Sequence, residues 1–246
     1  MKKLFTILVL AGAIITGAQA QVSITSETFT YADDFTGFLG AADPVNWTTA
    51  NAVGATNSAW QGTGTGSSTA GGKWSYGDTG SGATFDGSLG FLPSSSRAIN
   101  ASISFLVGAG LSLTGFDVGY DAELWRSALG GRTNGWAVSW SLNGGTDTLL
   151  NDLTYLAPNT NATGVNPDGG VWETLSLSTS VSQALGGGDV VTFTFFGDNG
   201  TGGGSRQGVA IDNFEFAVVP EPSTHALLAL AGAGLAAYRL RRRARC

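Results

Sequence analysis

The chain has 246 residues, of which 38 are glycine, 42% hydrophobic and only 12% charged, and its formal charge is −6. A 10% aromatic content supports a real core and argues against simple disorder, and the Gly-, Ser-, Thr- and Asn-rich remainder suits a turn-rich β protein better than a helical one. The lone cysteine (Cys246) and lone histidine (His225) both lie near the C-terminus, so everything before them lacks a disulfide, a Cys or His zinc site and a Ser-His-Asp triad.

Met1 to Ala20 reads as a signal peptide. Lys2 and Lys3 form a basic start, Leu4 to Ile15 an apolar stretch, and Ala18-Gln19-Ala20 a small-x-small cleavage site for signal peptidase. The mature chain then starts near Gln21, exported by a Sec-type route. All 18 acidic residues lie between Glu27 and Glu221, against only Lys73, Arg97, Arg126, Arg132 and Arg206. Five against 18 gives that span a formal charge of −13. Nucleic-acid binding needs a basic patch, so an acidic body argues against it and fits solubility outside the cell.

Residues 21–217 form the expected ectodomain, and it has two textures. Gln21 to Pro93 reads as loop-rich, with one early strand at Thr28 to Tyr31. Its Gln61 to Gly72 stretch, nearly all small and polar, reads as a flexible surface loop. From Arg97 the chain reads as successive strands. They are Ala98–Val107, Leu111–Tyr120, Trp136–Ser141, Thr146–Leu150, Val171–Leu177, Asp189–Phe196 and Gly208–Val218. Trp136, Val138 and Trp140 alternate with Ala137, Ser139 and Ser141, the period-2 signature of one apolar face. Asn143-Gly144 is a hairpin-turn signal, and Asn166-Pro167-Asp168-Gly169-Gly170 and Gly186-Gly187-Gly188 are turn clusters. Short alternating strands broken by Gly, Asn and Pro predict an all-β antiparallel sandwich.

The chain ends in a separate unit, residues 218–246. Pro220-Glu221-Pro222 keeps the backbone extended, because proline lacks an N–H and disfavours helix at the residue before it. An uncharged apolar run from about 226 to 238 follows, predicted as a helix of about 20 Å at ~1.5 Å per residue. Residues 239–246 are arginine-rich, which favours the cytoplasmic side of a membrane. The run is shorter than the roughly 30 Å hydrocarbon layer, so spanning needs local thinning or snorkelling of Arg239 and Arg241.

This tail resembles the PEP-CTERM protein-sorting tail of exported bacterial proteins, also called the ice-binding protein C-terminal-type domain. The resemblance implies transient anchoring in the inner membrane and cleavage near Pro220, Glu221 and Pro222 by an exosortase-type protease. It further implies delivery to the cell surface or to an extracellular polysaccharide matrix, as in a biofilm. A second resemblance covers Gly119 to Gly145, whose Glu-x-Trp-Arg step and Ser-x-Asn-Gly ending resemble a segment common in PEP-CTERM-tailed sandwich proteins. Asp33-Asp34-Phe35 and Ala210-Ile211-Asp212-Asn213-Phe214 are similar to their opening and closing elements. It implies a concanavalin-like or jelly-roll body and says little about activity.

The chemistry left to the body is narrow. The Gly-x-Gly patterns at Gly62–Gly66 and Gly202–Gly204 lack the strand–turn–helix context of a nucleotide site. Asp121, Glu123 and Glu173 are carboxylates of the kind a glycan hydrolase uses. The alternative is that Glu123 and Arg126 anchor a turn while Trp125 packs. Asp33, Asp34, Asp212 and Asn213 offer hard oxygen ligands for calcium, if first and last strands lie side by side; alternatively Asp212 and Asn213 only shape the last strand. Trp47, Trp60, Trp74 and Trp172 are candidate sugar-stacking platforms, or anchors of loops. The expectation is an exported structural or adhesive protein with glycan binding. A secreted carboxylate-dependent glycan hydrolase is the alternative.

Overall fold

The computed structural model describes residues 21–51, 59–77, 80–93, 99–128, 134–158, 164–168, 170–197 and 206–221. The signal segment 1–20, Pro222 and the expected tail helix lie outside the described residues. Among the described residues no helix is long and apolar enough to cross a membrane.

Among the described residues, fourteen strands carry the fold. The first six are β1 (Val22–Ile24), β2 (Thr30–Asp33), β3 (Trp47–Asn51), β4 (Trp60–Gly64), β5 (Gly72–Tyr76) and β6 (Ser88–Leu92). Next come β7 (Ile99–Val107), β8 (Ser112–Arg126), β9 (Gly135–Leu142), β10 (Thr148–Leu149) and β11 (Tyr155–Leu156). The set closes with β12 (Glu173–Gly186), β13 (Val190–Gly197) and β14 (Gly208–Pro220). They form two seven-stranded sheets. The first runs β1-β7-β13-β9-β10, with β3 also on β7 and β11 also on β9. The second runs β12-β8-β14-β6-β5-β4, with β2 also on β14.

The predicted sandwich is therefore present, and its later strands lie where alternation placed them. β8, β12 and β14 extend beyond their predicted bounds, β14 as far as Pro220. Two pairings are parallel, β1 with β7 and β4 with β5. The first ninety residues depart most from expectation. They supply six strands rather than one, and the Gln61–Gly72 stretch begins as β4 instead of a free loop.

The inner faces of the two sheets meet over an aromatic core. On β8, Phe116, Val118, Tyr120, Ala122 and Leu124 point inward, and on β14 Val209, Ile211, Phe214 and Phe216 do so. Phe105 stacks on Phe216 with centroids 4.1 Å apart, and Phe116 meets Phe193 edge-on at 5.4 Å. Burying each such ring contributes about 2–3 kcal/mol, which lets a body without disulfides hold together. The Asn143-Gly144 turn has φ of 54° and 67°, the left-handed pair that a tight hairpin turn requires.

Candidate functional site

Alternation on the second sheet decides which side chains face out. With Tyr120, Ala122 and Leu124 in the core, Asp117, Asp121 and Glu123 of β8 point away from it. β14 does the same with Ala210 and Asp212. An irregularity between Asp212 and Glu215 then places Asn213 at φ 46°, a conformation asparagine tolerates, before alternation resumes. On β12, Thr174, Ser176, Ser178 and Ser180 pair with Glu123, Asp121, Gly119 and Asp117. A row of hydroxyls therefore runs beside a row of carboxylates.

Between them lies an open groove with Gly119 in its floor. One section, about 360 Å³, is lined by Asp117, Gly119, Ser178, Ser180 and Glu215. The next, about 370 Å³, shares Gly119, Ser178 and Glu215 and adds Asp121, Ser176 and Asn213. A Cβ on Gly119 would come within 3.0 Å of the Leu177 carbonyl oxygen and 3.2 Å of the Ser178 Cβ, so any side chain here presses on β12 and fills the floor. Ser180 donates to Asp117, and Asn213 Nδ2 donates to Asp121 Oδ2 at 2.9 Å and to Asp212 Oδ2 at 3.2 Å.

Two carboxylates beside the groove are perturbed. Asp212 is pushed up to about 7, first by burial and then by the charge of Glu123, with smaller contributions from Asp86 and Asp121. Its Oδ1 is buried without a hydrogen-bond partner. Glu123 is also raised, chiefly by burial, although the Trp125 indole donates to its Oε2 at 2.6 Å. The register pairs Ala210 with Glu123 and Asp212 with Asp121, so Glu123 and Asp212 are diagonal neighbours on adjacent strands. Asp212 thus carries a proton through much of the range in which an ordinary carboxyl is ionised.

Beyond Glu123 the same face turns aromatic and closes. Trp74, Tyr76 and Trp125 stack in a row with both centroid separations 6.1 Å and interplanar angles of 10° and 17°. They form a second, smaller core with Leu92 and Ala210. Residues 64–72 strap this end. Arg126 Nη1 donates to the Gly66 carbonyl at 2.9 Å and the Ser67 carbonyl at 3.4 Å, and Trp74 Nε1 donates to the Ala70 carbonyl at 3.1 Å. Glycine is required beneath the rings: a Cβ on Gly90 would sit 2.3 Å from the Tyr76 Cδ2.

The residues singled out from sequence fall in different places. Trp47 is a core residue at 4% exposure, and Trp74 at 8% lies under the strap. Trp60 and Trp172 are half-buried, and Lys73 Nζ sits 4.9 Å from the Trp60 ring centroid. All four indole N–H groups are engaged internally, with Asp33, Asp43, the Ala70 carbonyl and the Gly164 carbonyl. They are anchors and form no shared exposed platform. Glu173 lies on the opposite face of the sheet from Glu123, where it accepts the Tyr155 hydroxyl at 3.1 Å. Glu123 and Arg126 lie in β8 rather than at a turn, one on the Trp125 indole and the other on the strap, while Trp125 packs in the second core.

The four residues named for calcium lie as follows. β2 and β14 do lie side by side, with Asp33 opposite Phe214. Asp33 is, however, occupied by the Tyr31 hydroxyl, the Phe35 N–H and the Trp47 indole, and Asp34 by the Thr36 N–H. Among the described residues no three His, Cys, Asp or Glu side chains are grouped to hold a metal ion. Sequence reasoning passed over Asp117, Gly119, Ser176, Ser178 and Glu215. The alternation of Ser176, Ser178 and Ser180 was the signal that pointed to them.

Residues 218–243 match the PEP-CTERM protein-sorting motif, and the chain thus carries this signature of exosortase-dependent export. The motif begins inside the sheet: β14 runs to Pro220, and Ser112 Oγ donates to Glu221 Oε1 at 2.7 Å. No curated protein sequence matches the chain. Among solved structures it is similar to the cleaved adhesin domain of Lys-gingipain, at 13% identity over 76% of this chain and 97% of that one, with a TM-score of 0.42. It is similar to TmCBM61 in complex with β-1,4-galactotriose, at 14% identity over 74% and 94%, TM-score 0.39. The enzymatically active domain of bacteriophage CBA120 tailspike protein 4 gives 12% identity and a TM-score of 0.39. There the alignment covers 75% of this chain but spans only 22% of the tailspike. No residue role passes from any of them to this chain.

Proposed function

We propose that this chain is an exported surface or matrix protein that holds an extracellular glycan along the groove of its second sheet. Signal peptidase removes residues 1–20 after Ala20. The apolar segment near 226–238 anchors the chain transiently in the inner membrane, and an exosortase-type protease cuts near Pro220-Glu221-Pro222. The body then remains on the envelope or in the surrounding polysaccharide, where its role is adhesive or structural.

The observation that carries the binding reading is the groove itself. It is open, Gly119-floored and lined by hydroxyls, carboxylates and one amide. Each of its two sections lies within the roughly 300–1,000 Å³ of small-ligand sites. Sugar hydroxyls both donate and accept, so alternating Ser hydroxyls and Asp or Glu carboxylates match them in polarity. A glycan array probed with the full chain in detergent tests this. Retention of neutral matrix polysaccharides supports it, and a blank array overturns it.

The hydrolase reading keeps one specific support, the Glu123–Asp212 pair. Protonated Asp212 is poised as an acid while a neighbouring carboxylate is available as a base. Reducing-end release from the retained polysaccharides, lost in Glu123→Gln, would establish it. Binding without turnover would dismiss it.

A further inference from the structure

We propose that β12 is a homotypic docking edge, through which two copies of this chain join their second sheets by antiparallel pairing of residues 174–182. A sheet edge carries a row of unpaired N–H and C=O groups, and natural proteins keep such edges short, charged or interrupted. The other edges here follow that rule. β1, β3, β10 and β11 on the first sheet have 3, 5, 2 and 2 residues. β4 and β2, on the far side of the second sheet, have 5 and 4. β12 has 14 residues and, among the described strands, pairs only with β8. At roughly 3.3 Å per residue it presents an edge about 45 Å long.

Its composition selects the occupant. Residues Thr174 to Gly186 contain no charge, no lysine and no proline, within a span that carries −13. Two such acidic bodies repel over most of their surfaces and least along this strip. Pairing with β8 is uninterrupted from Glu173 to Ser182, and the one irregularity lies beyond, between Ser182 and Leu185. A twofold axis normal to the sheet sets like faces together. The outward hydroxyls of Thr174, Ser176, Ser178, Ser180 and Ser182 then face the same row in reversed order, only the residue on the axis meeting its own copy, and no like charges oppose each other. On the inner side Leu175 is 45% exposed at the rim, and a second strand would cover it. A foreign strand would need none of this self-complementarity. The joined sheets would set two polar grooves on one continuous face, and a single polysaccharide strand engaging both would gain avidity.

A single-cysteine scan tests the register. In the full chain carrying Cys246→Ser, each residue from 174 to 182 is changed to cysteine in turn, and the purified protein in detergent is oxidised mildly. Disulfide-linked dimer is expected to peak at one position, the residue on the twofold axis, and to be at least tenfold weaker for Thr63→Cys on β4. Equal yields at all positions, as random collision gives, or no dimer anywhere, would overturn the proposal. Sedimentation of a Leu175→Lys, Leu177→Lys double variant provides a second reading. A folded variant, judged by circular dichroism, is expected to be monomeric where the parent is dimeric. A parent that is already monomeric at tens of micromolar would also overturn it. These readouts are independent of the glycan reading, which can fail while the dimer stands.

Discussion

The outer face of the second sheet runs from β12 through β8 and β14 to β5, and its two ends behave as different surfaces. At one end Trp74, Tyr76 and Trp125 stand in a stacked row, and a glycine-rich strap tied by Arg126 covers them. At the other, Asp117, Gly119, Asp121, Ser176, Ser178 and Glu215 leave an open polar groove. The difference follows from what alternation delivers to each end. Aromatic rings that reach the outside of a sheet must be roofed, because exposed apolar area is costly in water. Hydroxyls and carboxylates need no roof. In this fold, aromatic residues mark stability and the plain Ser-Gly-Asp surface is the place proposed for a ligand, the reverse of what tryptophan positions suggest.

The largest effect should come from breaking the roofed end. Tyr76→Ala removes the middle ring of the stack and should cost about 3–5 kcal/mol, as for other buried aromatic truncations. Thermal denaturation would show a fall in Tm of roughly 10 °C for a body of this size. Arg126→Ala frees the strap without removing a ring. A smaller loss of about 1–3 kcal/mol is expected, with faster proteolysis confined to residues 64–72. Cleavage spread evenly over the body would contradict the tie described here.

Between the two ends sits Asp212, and pH should sharpen the contrast. Its folded pKa of about 7 lies above the ordinary carboxyl value of 3.8, so the folded state holds the proton more tightly. The stability linked to that proton is fully present below the unfolded value and is lost as pH rises towards and through about 7. Tm should therefore fall between pH 5 and pH 8 in the parent. Asp212→Asn should flatten most of that slope and raise Tm at pH 8. An unchanged slope would place the titrating group elsewhere.

At the open end, changes should scarcely alter stability. Ser178→Ala removes one groove hydroxyl, and a Tm shift within about 2 °C is expected, since exposed substitutions usually stay within ±0.5 kcal/mol. Its glycan affinity should drop several-fold, measurable by calorimetry on a polysaccharide retained by the array.

The sandwich was legible in the second half of the body because its strands are long and their periodicity is intrinsic. Val191, Phe193 and Phe195 alternate whatever they pair with. The first half was not legible, because β4, β5 and β6 are five residues each and take their conformation from distant partners. β6, for example, pairs with β14 through Leu89 and Ile211, more than a hundred residues apart. Glycine content read as flexibility there. Gly64 and Gly90 are instead places where indole and phenol rings lie against bare backbone. The tail could be read directly, because its signal is linear. For the site, sequence indicated carboxylates and tryptophans as the available chemistry. It did not indicate that the indole N–H groups of Trp47, Trp60, Trp74 and Trp172 are engaged internally, because that depends on contacts such as Trp47 to Asp33 and Trp60 to Asp43.

The central claim is that the groove over Gly119 holds the glycan, and filling its floor tests that most directly. The full chain and its Gly119→Leu variant would be titrated side by side with a polysaccharide retained on the array, after circular dichroism confirms that both are folded. The account predicts saturable binding by the parent and at least a tenfold weaker affinity in the variant. Equal affinities in the two folded proteins would place the glycan elsewhere and contradict it.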